Sequence, residues 1–218
     1  MNAAHAIQST LRAIYDHGII LCVRLDPGAP VLDAAKAAAA GGLTVLEITL
    51  TTPGALGTIE TLSKEENLLI GAGTVLTTND VRAVAEAGGR FVMSPVFDEP
   101  VLSEAERLGI LAVPGASTST EILTAYRAGA RAVKVFPAAA LGGTGFLRAV
   151  RGPLPHIPLI PTSGPTADTM AEYFAAGASA VGVGNEVFHT EFTLESVQAA
   201  AKRVCEAFEA CASHRTDR

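Results

Sequence analysis

Val31-Leu32-Asp33-Ala34-Ala35-Lys36-Ala37-Ala38-Ala39-Ala40-Gly41-Gly42-Leu43-Thr44-Val45-Leu46-Glu47-Ile48-Thr49-Leu50-Thr51-Thr52-Pro53-Gly54 is the stretch whose reading decides the fold. It opens with an Ala-rich helical segment, which Gly41-Gly42 ends as glycine commonly ends helices. An apolar run follows, too short for a helix and closed by Thr-Thr-Pro-Gly, a turn signal. The same alternation recurs outward in both directions. Apolar runs occupy 19–25, 45–50, 68–71, 91–93, 111–113, 132–136, 158–161 and 180–183. Helical stretches such as 31–40, 79–87, 101–108, 121–128, 167–176 and 194–210 lie between or after them. Near-continuous apolar strands alternating with helices predict a parallel α/β sheet covered by helices. About eight such units in 218 residues fit a (β/α)8 TIM barrel. An open doubly wound sheet would announce its ligand with a glycine fingerprint, and Gly182-Val183-Gly184 lacks the third glycine. Residues 3–16 precede the first run and read as an extra N-terminal helix closing the barrel bottom.

Length and composition agree with one domain over 1–218, because barrels of about 200–250 residues fold as single units. We divide it into an N-terminal helix (1–17), the barrel (18–190), a last helix (191–213) and a tail (214–218). Hydrophobic residues make up 49% and charged residues only 17%, so a substantial core is expected. Lys plus Arg is 16 against 22 for Asp plus Glu, a formal charge of −6 without a basic block. With no tryptophan and 5% aromatics, the chain offers neither a phosphate-backbone track nor a stacking platform, so no nucleic-acid partner is expected. No apolar run approaches the roughly 20 residues of a membrane span. Cys22, Cys205 and Cys211 are an odd set without CxxC spacing, and the start of the chain lacks a signal-peptide pattern. A cytoplasmic protein is the expectation. The five histidines form no i, i+4 pair, so no metal site is expected.

Polar residues within apolar strands are the informative ones. In Val45-Leu46-Glu47-Ile48-Thr49-Leu50, alternation turns Leu46, Ile48 and Leu50 toward helices and puts Glu47 and Thr49 on the inner face with Val45. Glu47 is either half of a structural ion pair or a buried acid or base. Lys134 stands between Val133 and Val135; lysine is rarely buried unless paired or chemically used. A desolvated amine is a candidate nucleophile. Arg24 shares a strand face with Cys22 and Asp26, and its guanidinium suits a carboxylate, whether of substrate or of Asp26 or Glu47. The seventh and eighth runs end in Pro161-Thr162-Ser163-Gly164-Pro165-Thr166 and Gly182-Val183-Gly184-Asn185. Barrels of this kind place phosphate sites at those two loops, where small residues expose backbone N–H groups; two ordinary tight turns would use glycine equally well.

At these positions the chain resembles the 2-keto-3-deoxy-6-phosphogluconate aldolase family, which includes 4-hydroxy-2-oxoglutarate and 2-keto-3-deoxy-6-phosphogalactonate aldolases. The likeness runs from about Gly18 to Phe188. It rests on Leu46-Glu47-Ile48-Thr49-Leu50, Gly71-Ala72-Gly73-Thr74-Val75-Leu76, Phe91-Val92-Met93-Ser94-Pro95, Val113-Pro114-Gly115-Ala116, Val133-Lys134-Val135-Phe136-Pro137-Ala138 and Pro161-Thr162-Ser163-Gly164, in that order. The resemblance implies a metal-independent class I aldolase without cofactor, with Lys134 as the Schiff-base lysine and Glu47 as the proton-transfer residue. It implies that Thr74, Pro95 and Phe136 shape the pyruvyl pocket, with Thr162 on the hydroxylated part of the substrate. Ser163, Gly164, Gly184 and Asn185 would hold the phosphate, and the assembly would be a homotrimer. Three departures stand out. Thr51 occupies a place where the gluconate enzymes usually carry arginine, and Arg24 on the first strand is its candidate replacement, as in the phosphogalactonate enzymes. Ser163 interrupts a Thr-Gly-Gly turn. Asn185 stands where serine is common. The competing readings are a phosphosugar isomerase or epimerase on the same barrel and a non-catalytic phosphosugar-binding protein.

Overall fold

Alanine and glycine decide how closely the elements of this chain approach one another. In the computed structural model, which describes residues 2–189 and 191–211, helix α2 (Val31–Ala40) buries Ala34, Ala35 and Ala38 and ends at Gly41. A Cβ on Gly41 would stand 2.5 Å from the Gln198 carbonyl oxygen and 2.6 Å from Ala201 Cβ. Glycine therefore lets α2 rest directly on α9 (Leu194–Ala210). Before these, α1 (Ala3–His17) ends at Gly18, whose positive φ of 70° lets its N–H turn back to the Ile14 carbonyl.

After α1 the chain alternates strand and helix: β1 (Ile19–Val23), α2, β2 (Val45–Thr49), α3 (Ala55–Leu62), β3 (Leu69–Gly73) and α4 (Thr78–Glu86). Then come β4 (Phe91–Met93), α5 (Glu99–Leu108), β5 (Leu111–Val113), β6 (Gly115–Ala116), α6 (Ser119–Arg127) and β7 (Val133–Val135). The series closes with α7 (Gly143–Arg151), β8 (Leu159–Pro161), α8 (Met170–Ala175), β9 (Val181–Val183) and α9. All strand pairs are parallel, in two ladders ordered β5-β4-β3-β2-β1-β9 and β6-β7-β8. One isolated parallel bridge, Thr162 to Gly182, joins the end of β8 to β9. The sequence reading is right about a parallel α/β architecture with an extra N-terminal helix. Among the described residues no helix is long and apolar enough to cross a membrane.

Several boundaries differ, each for a local reason. The fifth apolar run continues as two short strands, because Pro114 has no N–H to donate and interrupts the ladder. Helices α3 and α7 are absent from the stretches quoted above; Gly57, Gly143 and Gly145 dilute their apolar periodicity. Helix α8 begins at Met170 rather than 167, since Ala167–Thr169 form a turn tied by the Thr166 and Thr169 side chains and by Glu186. The last helix spans Leu194–Ala210, the helical stretch read from the sequence and three residues inside the division at 191, and Thr193 and Ser196 form its capping box. The tail expected at 214–218 lies outside the described residues.

Strand alternation divides the core in two. Leu46 and Ile48 pack outward on the helices with the larger apolar cluster. Inside, Ile20, Val45, Phe91, Met93, Leu111, Val113, Ala132, Ile160 and Ala180 from both ladders form one cluster, against which Ile7, Leu11 and Ile14 of α1 pack. At β2 and β7 the inner apolar residues Val45 and Ala132 give way two positions later to Glu47 and Lys134, whereas Met93 and Val113 keep the inner face apolar to the ends of β4 and β5.

Candidate active site

Glu47 and Lys134 come from strands in different ladders and meet inside. Glu47 lies opposite Cys22 on β1 and Gly71 on β3, and Lys134 lies between Gly115 on β6 and Ile160 on β8. Each stands two residues after an inner apolar residue, Val45 or Ala132, and their side chains meet in the interior. Lys134 Nζ stands 3.5 Å from Glu47 Oε1, with Glu47 only 1% and Lys134 5% exposed. That separation makes an ion pair rather than a strong hydrogen bond. Neither carboxylate oxygen of Glu47 has a hydrogen-bond partner. The ammonium also lies 5.1 Å from the centre of the Phe136 ring, within cation–π range.

Glycines make the room. A Cβ on Gly73 would collide with Oε1 of Glu47, and one on Gly71 would press into the Phe91 ring. On the far side, a Cβ on Gly182 would come within 2.7 Å of the Thr162 side chain. Small residues on β3 and β9 therefore accommodate the larger side chains of their neighbours. Thr162 is buried, and its hydroxyl has no hydrogen-bond partner. It faces the same interior from the other ladder.

Arg24 follows the end of β1 and is exposed, as is Thr51. Its guanidinium Nη2 donates to Thr74 Oγ1 at 3.1 Å, so its partner is a residue of the next-but-one strand end rather than Asp26 or Glu47. Thr74 holds a positive φ of 57°, uncommon for a residue with a branched Cβ. Thr51 instead bonds to the Thr49 hydroxyl at 3.2 Å. Pro95 packs on the backbone of Gly115, the ladder partner of Lys134.

Cys22 belongs to this interior and was not singled out from sequence, although alternation puts it on the Arg24 face. Its thiol is pushed up to about 12, first by burial and then by the Glu47 carboxylate. Lys134 and Arg24 partly oppose that rise. The thiol is neutral at ordinary pH.

The loops after β8 and β9 lie side by side above the Thr162–Gly182 bridge. Ser163 adopts a positive φ of 61°, a backbone that glycine would hold without strain. The Ala138 and Ala139 N–H groups donate to the Thr162 and Ser163 carbonyls at 2.9 Å each, fixing the first loop to the end of β7. Among the described residues, the backbone N–H groups of Ser163, Gly164, Gly184 and Asn185 have no protein acceptor. Such unclaimed donors suit an anion. Glu47, Lys134 and Phe136 thus lie together, Arg24 bonds to Thr74 after the strand ends, and Ser163, Gly164, Gly184 and Asn185 lie on the two loops that follow β8 and β9. Among the described residues no three His, Cys, Asp or Glu side chains gather as metal ligands would.

Comparison with known proteins agrees with this geometry. The family model for KDPG and KHG aldolase matches residues 9–203. A 2-dehydro-3-deoxy-phosphogluconate aldolase of Pseudomonas aeruginosa is 42% identical over 158 residues, 72% of each chain. Among solved structures, native KDPGal gives a TM-score of 0.82 at 28% identity, covering 89% of this chain and 96% of the other. KDPG aldolase of Legionella pneumophila, with pyruvate captured as a covalent carbinolamine, gives 0.77 at 30% identity over 94% and 98%. The match spans both ladders and every strand end described above, and the chain belongs to the KDPG and KHG aldolase family.

Proposed function

We propose that this chain is a class I aldolase that cleaves a 2-keto-3-deoxy-6-phospho sugar acid, of gluconate or galactonate type, to pyruvate and glyceraldehyde 3-phosphate. One observation carries the reading. Lys134 Nζ lies 3.5 Å from a buried carboxylate neither of whose oxygens accepts a hydrogen bond. Such a pair stabilises a fold poorly, so its value lies in chemistry. The likeness to a structure holding a pyruvate carbinolamine supports the same reading.

Lys134 passes a proton to the Glu47 carboxylate 3.5 Å away and attacks the keto carbon C2 as the neutral amine; Glu47 returns that proton to the carbinolamine hydroxyl, which leaves as water to give an iminium. The free oxygens of Glu47 take the C4 hydroxyl proton, directly or through a water. The C3–C4 bond breaks, its electron pair passes into the iminium to form an enamine, and the aldehyde leaves. Protonation at C3 and hydrolysis release pyruvate and the amine. The iminium supplies the polarisation that a metal supplies in other aldolases. Thr74, Pro95 and Phe136 line the pyruvyl group, Thr162 donates to the hydroxylated carbons, and Arg24 replaces the arginine absent at Thr51 as carboxylate partner. Ser163, Gly164, Gly184 and Asn185 receive the phosphate through their unclaimed N–H groups.

The proposal includes closure of the two ladders into one eight-stranded barrel. The Thr162–Gly182 bridge and the continuity of β5 with β6 through Pro114 support it. It also includes a single domain over the chain and, on family resemblance, a cytoplasmic homotrimer. A second reading has the same centre cleave 4-hydroxy-2-oxoglutarate to pyruvate and glyoxylate, which the KHG part of the family description favours. Borohydride reduction in the presence of pyruvate tests the chemistry. A stable adduct on Lys134, found by peptide mass mapping, is expected; a label elsewhere, or full activity in Lys134→Ala, overturns the assignment.

A further inference from the structure

We propose that Glu186 is a positioning residue that holds the two phosphate loops at their working separation, with Arg203 as its counter-charge. The inference rests on the phosphate assignment above and goes beyond it to a residue outside the family motifs quoted from the sequence. Glu186 directly follows Asn185, and its side chain is 10% exposed. Both carboxylate oxygens accept the Ala167 N–H, at 2.9 and 3.1 Å. Ala167 lies three residues beyond Gly164. One side chain therefore ties the loop after β9 to the loop after β8. Arg203 Nη2 of α9 reaches the same carboxylate at 3.1 Å and adds a third segment.

The tie falls where the sheet is weakest. Between β8 and β9 the pairing is reduced to the isolated Thr162–Gly182 bridge and the Ser179 N–H to Leu159 carbonyl bond at 2.8 Å, whereas neighbours within each ladder pair through two or more registered residues. The proposed donors sit on both sides of that joint. A phosphate bound by N–H groups from two loops needs their spacing set before it arrives, since displacement of about an ångström weakens every contact at once. Charge-assisted bonds to a carboxylate are the strong kind and suit that task. The carboxylate is spent on Ala167 and Arg203, and the arginine offsets a negative charge that would otherwise repel the phosphate. Glu186 thus acts through the loops and does not touch the substrate.

Glu186→Ala, Glu186→Gln and Ala167→Pro test the proposal, each read against a phosphorylated 2-keto acid, unphosphorylated 4-hydroxy-2-oxoglutarate and inorganic phosphate. Glutamine keeps an acceptor for the Ala167 N–H, and proline at 167 removes the donor while leaving the Glu186–Arg203 pair. Glu186→Ala should raise KM for the phosphorylated substrate about tenfold relative to KM for the unphosphorylated one. Its kcat should stay within threefold, and Kd for inorganic phosphate should rise in parallel. Glu186→Gln should recover most of the loss, and Ala167→Pro should repeat it. Equal effects on both substrates, an unchanged phosphate Kd, or Glu186→Gln no better than alanine overturns the proposal. If the parent protein turns over neither keto acid, the aldolase reading fails instead, and the phosphate Kd series still decides the role of Glu186. If Glu186→Ala does not fold, Ala167→Pro and Glu186→Gln carry the same comparison.

Discussion

Gly73→Ala should disable the reaction while leaving the fold intact. The residue ends β3 with no positive φ, so its backbone accepts alanine without strain. The new methyl would collide with Glu47 Oε1 and stand 2.8 Å from Cδ and 2.9 Å from Cγ, against 3.4–4 Å for ordinary contact. The carboxylate must retreat by roughly half an ångström at Cδ and further at its oxygen. Misplacing a reacting group by about 1 Å costs on the order of 100-fold in rate, or about 2.7 kcal/mol in barrier. Gly→Ala in a compatible backbone returns only about 0.4–1 kcal/mol through the unfolded chain, so Tm should change little. Steady-state cleavage assays following pyruvate should show kcat down about 100-fold with KM within a few-fold. Because the effect runs through Glu47, Gly73→Ala/Glu47→Gln should be no slower than Glu47→Gln alone. A folded Gly73→Ala within threefold of the parent, or losses that multiply in the double variant, would refute the placement of Glu47 as the proton-transfer group.

Removing one partner of the buried pair should reveal its cost to stability. Lys134→Met leaves Glu47 buried and unpaired, at about 3–5 kcal/mol, which lowers Tm by roughly 6–20 °C in a chain of this size. Lys134→Met/Glu47→Gln should regain most of it, and calorimetry showing Lys134→Met within 2 °C of the parent would contradict the pairing. Arg24→Ala should lower kcat/KM about ten- to a hundredfold, as loss of a charge-assisted bond of roughly 1.5–3 kcal/mol does, and Arg24→Lys should recover only part. Near-normal kinetics would leave Arg24 as a partner of Thr74 only. Away from the site, Arg107 and then Arg82 hold the Glu104 carboxyl down at about 2, below its usual 4.5. A lowered carboxyl stabilises the fold above the unfolded value, and that contribution fades as pH falls from about 4.5 toward 2. Glu104→Gln should therefore flatten the decline of Tm across that window; an unchanged slope would show that the cluster contributes nothing.

Much of this protein is legible in its sequence, because alternation and punctuation are local. Period-two patterning alone puts Glu47 on an inward face, the valines flanking Lys134 mark it as a lysine within an apolar strand, and glycine after Ala-rich stretches marks where helices stop. Thr77, Thr118 and Thr193 each begin a helix through a capping box that a few neighbouring residues determine. The motifs at successive strand ends name the family before any coordinate is known. What the sequence could not decide is distance between residues remote along the chain. Whether Glu47 and Lys134 pair, which neighbour Arg24 grips, and that Gly73 is the space Glu47 occupies all depend on how two ladders face one another. Cys22 became a member of the site only when register set it opposite Glu47. Nothing in the sequence marks Glu186, and only the tertiary fold brings Ala167 and Arg203 to its carboxylate. Local rules act through neighbouring dihedrals and side-chain period, whereas the site is made of contacts across tens of residues, and these exist only once the sheet has curved to bring its strand ends together.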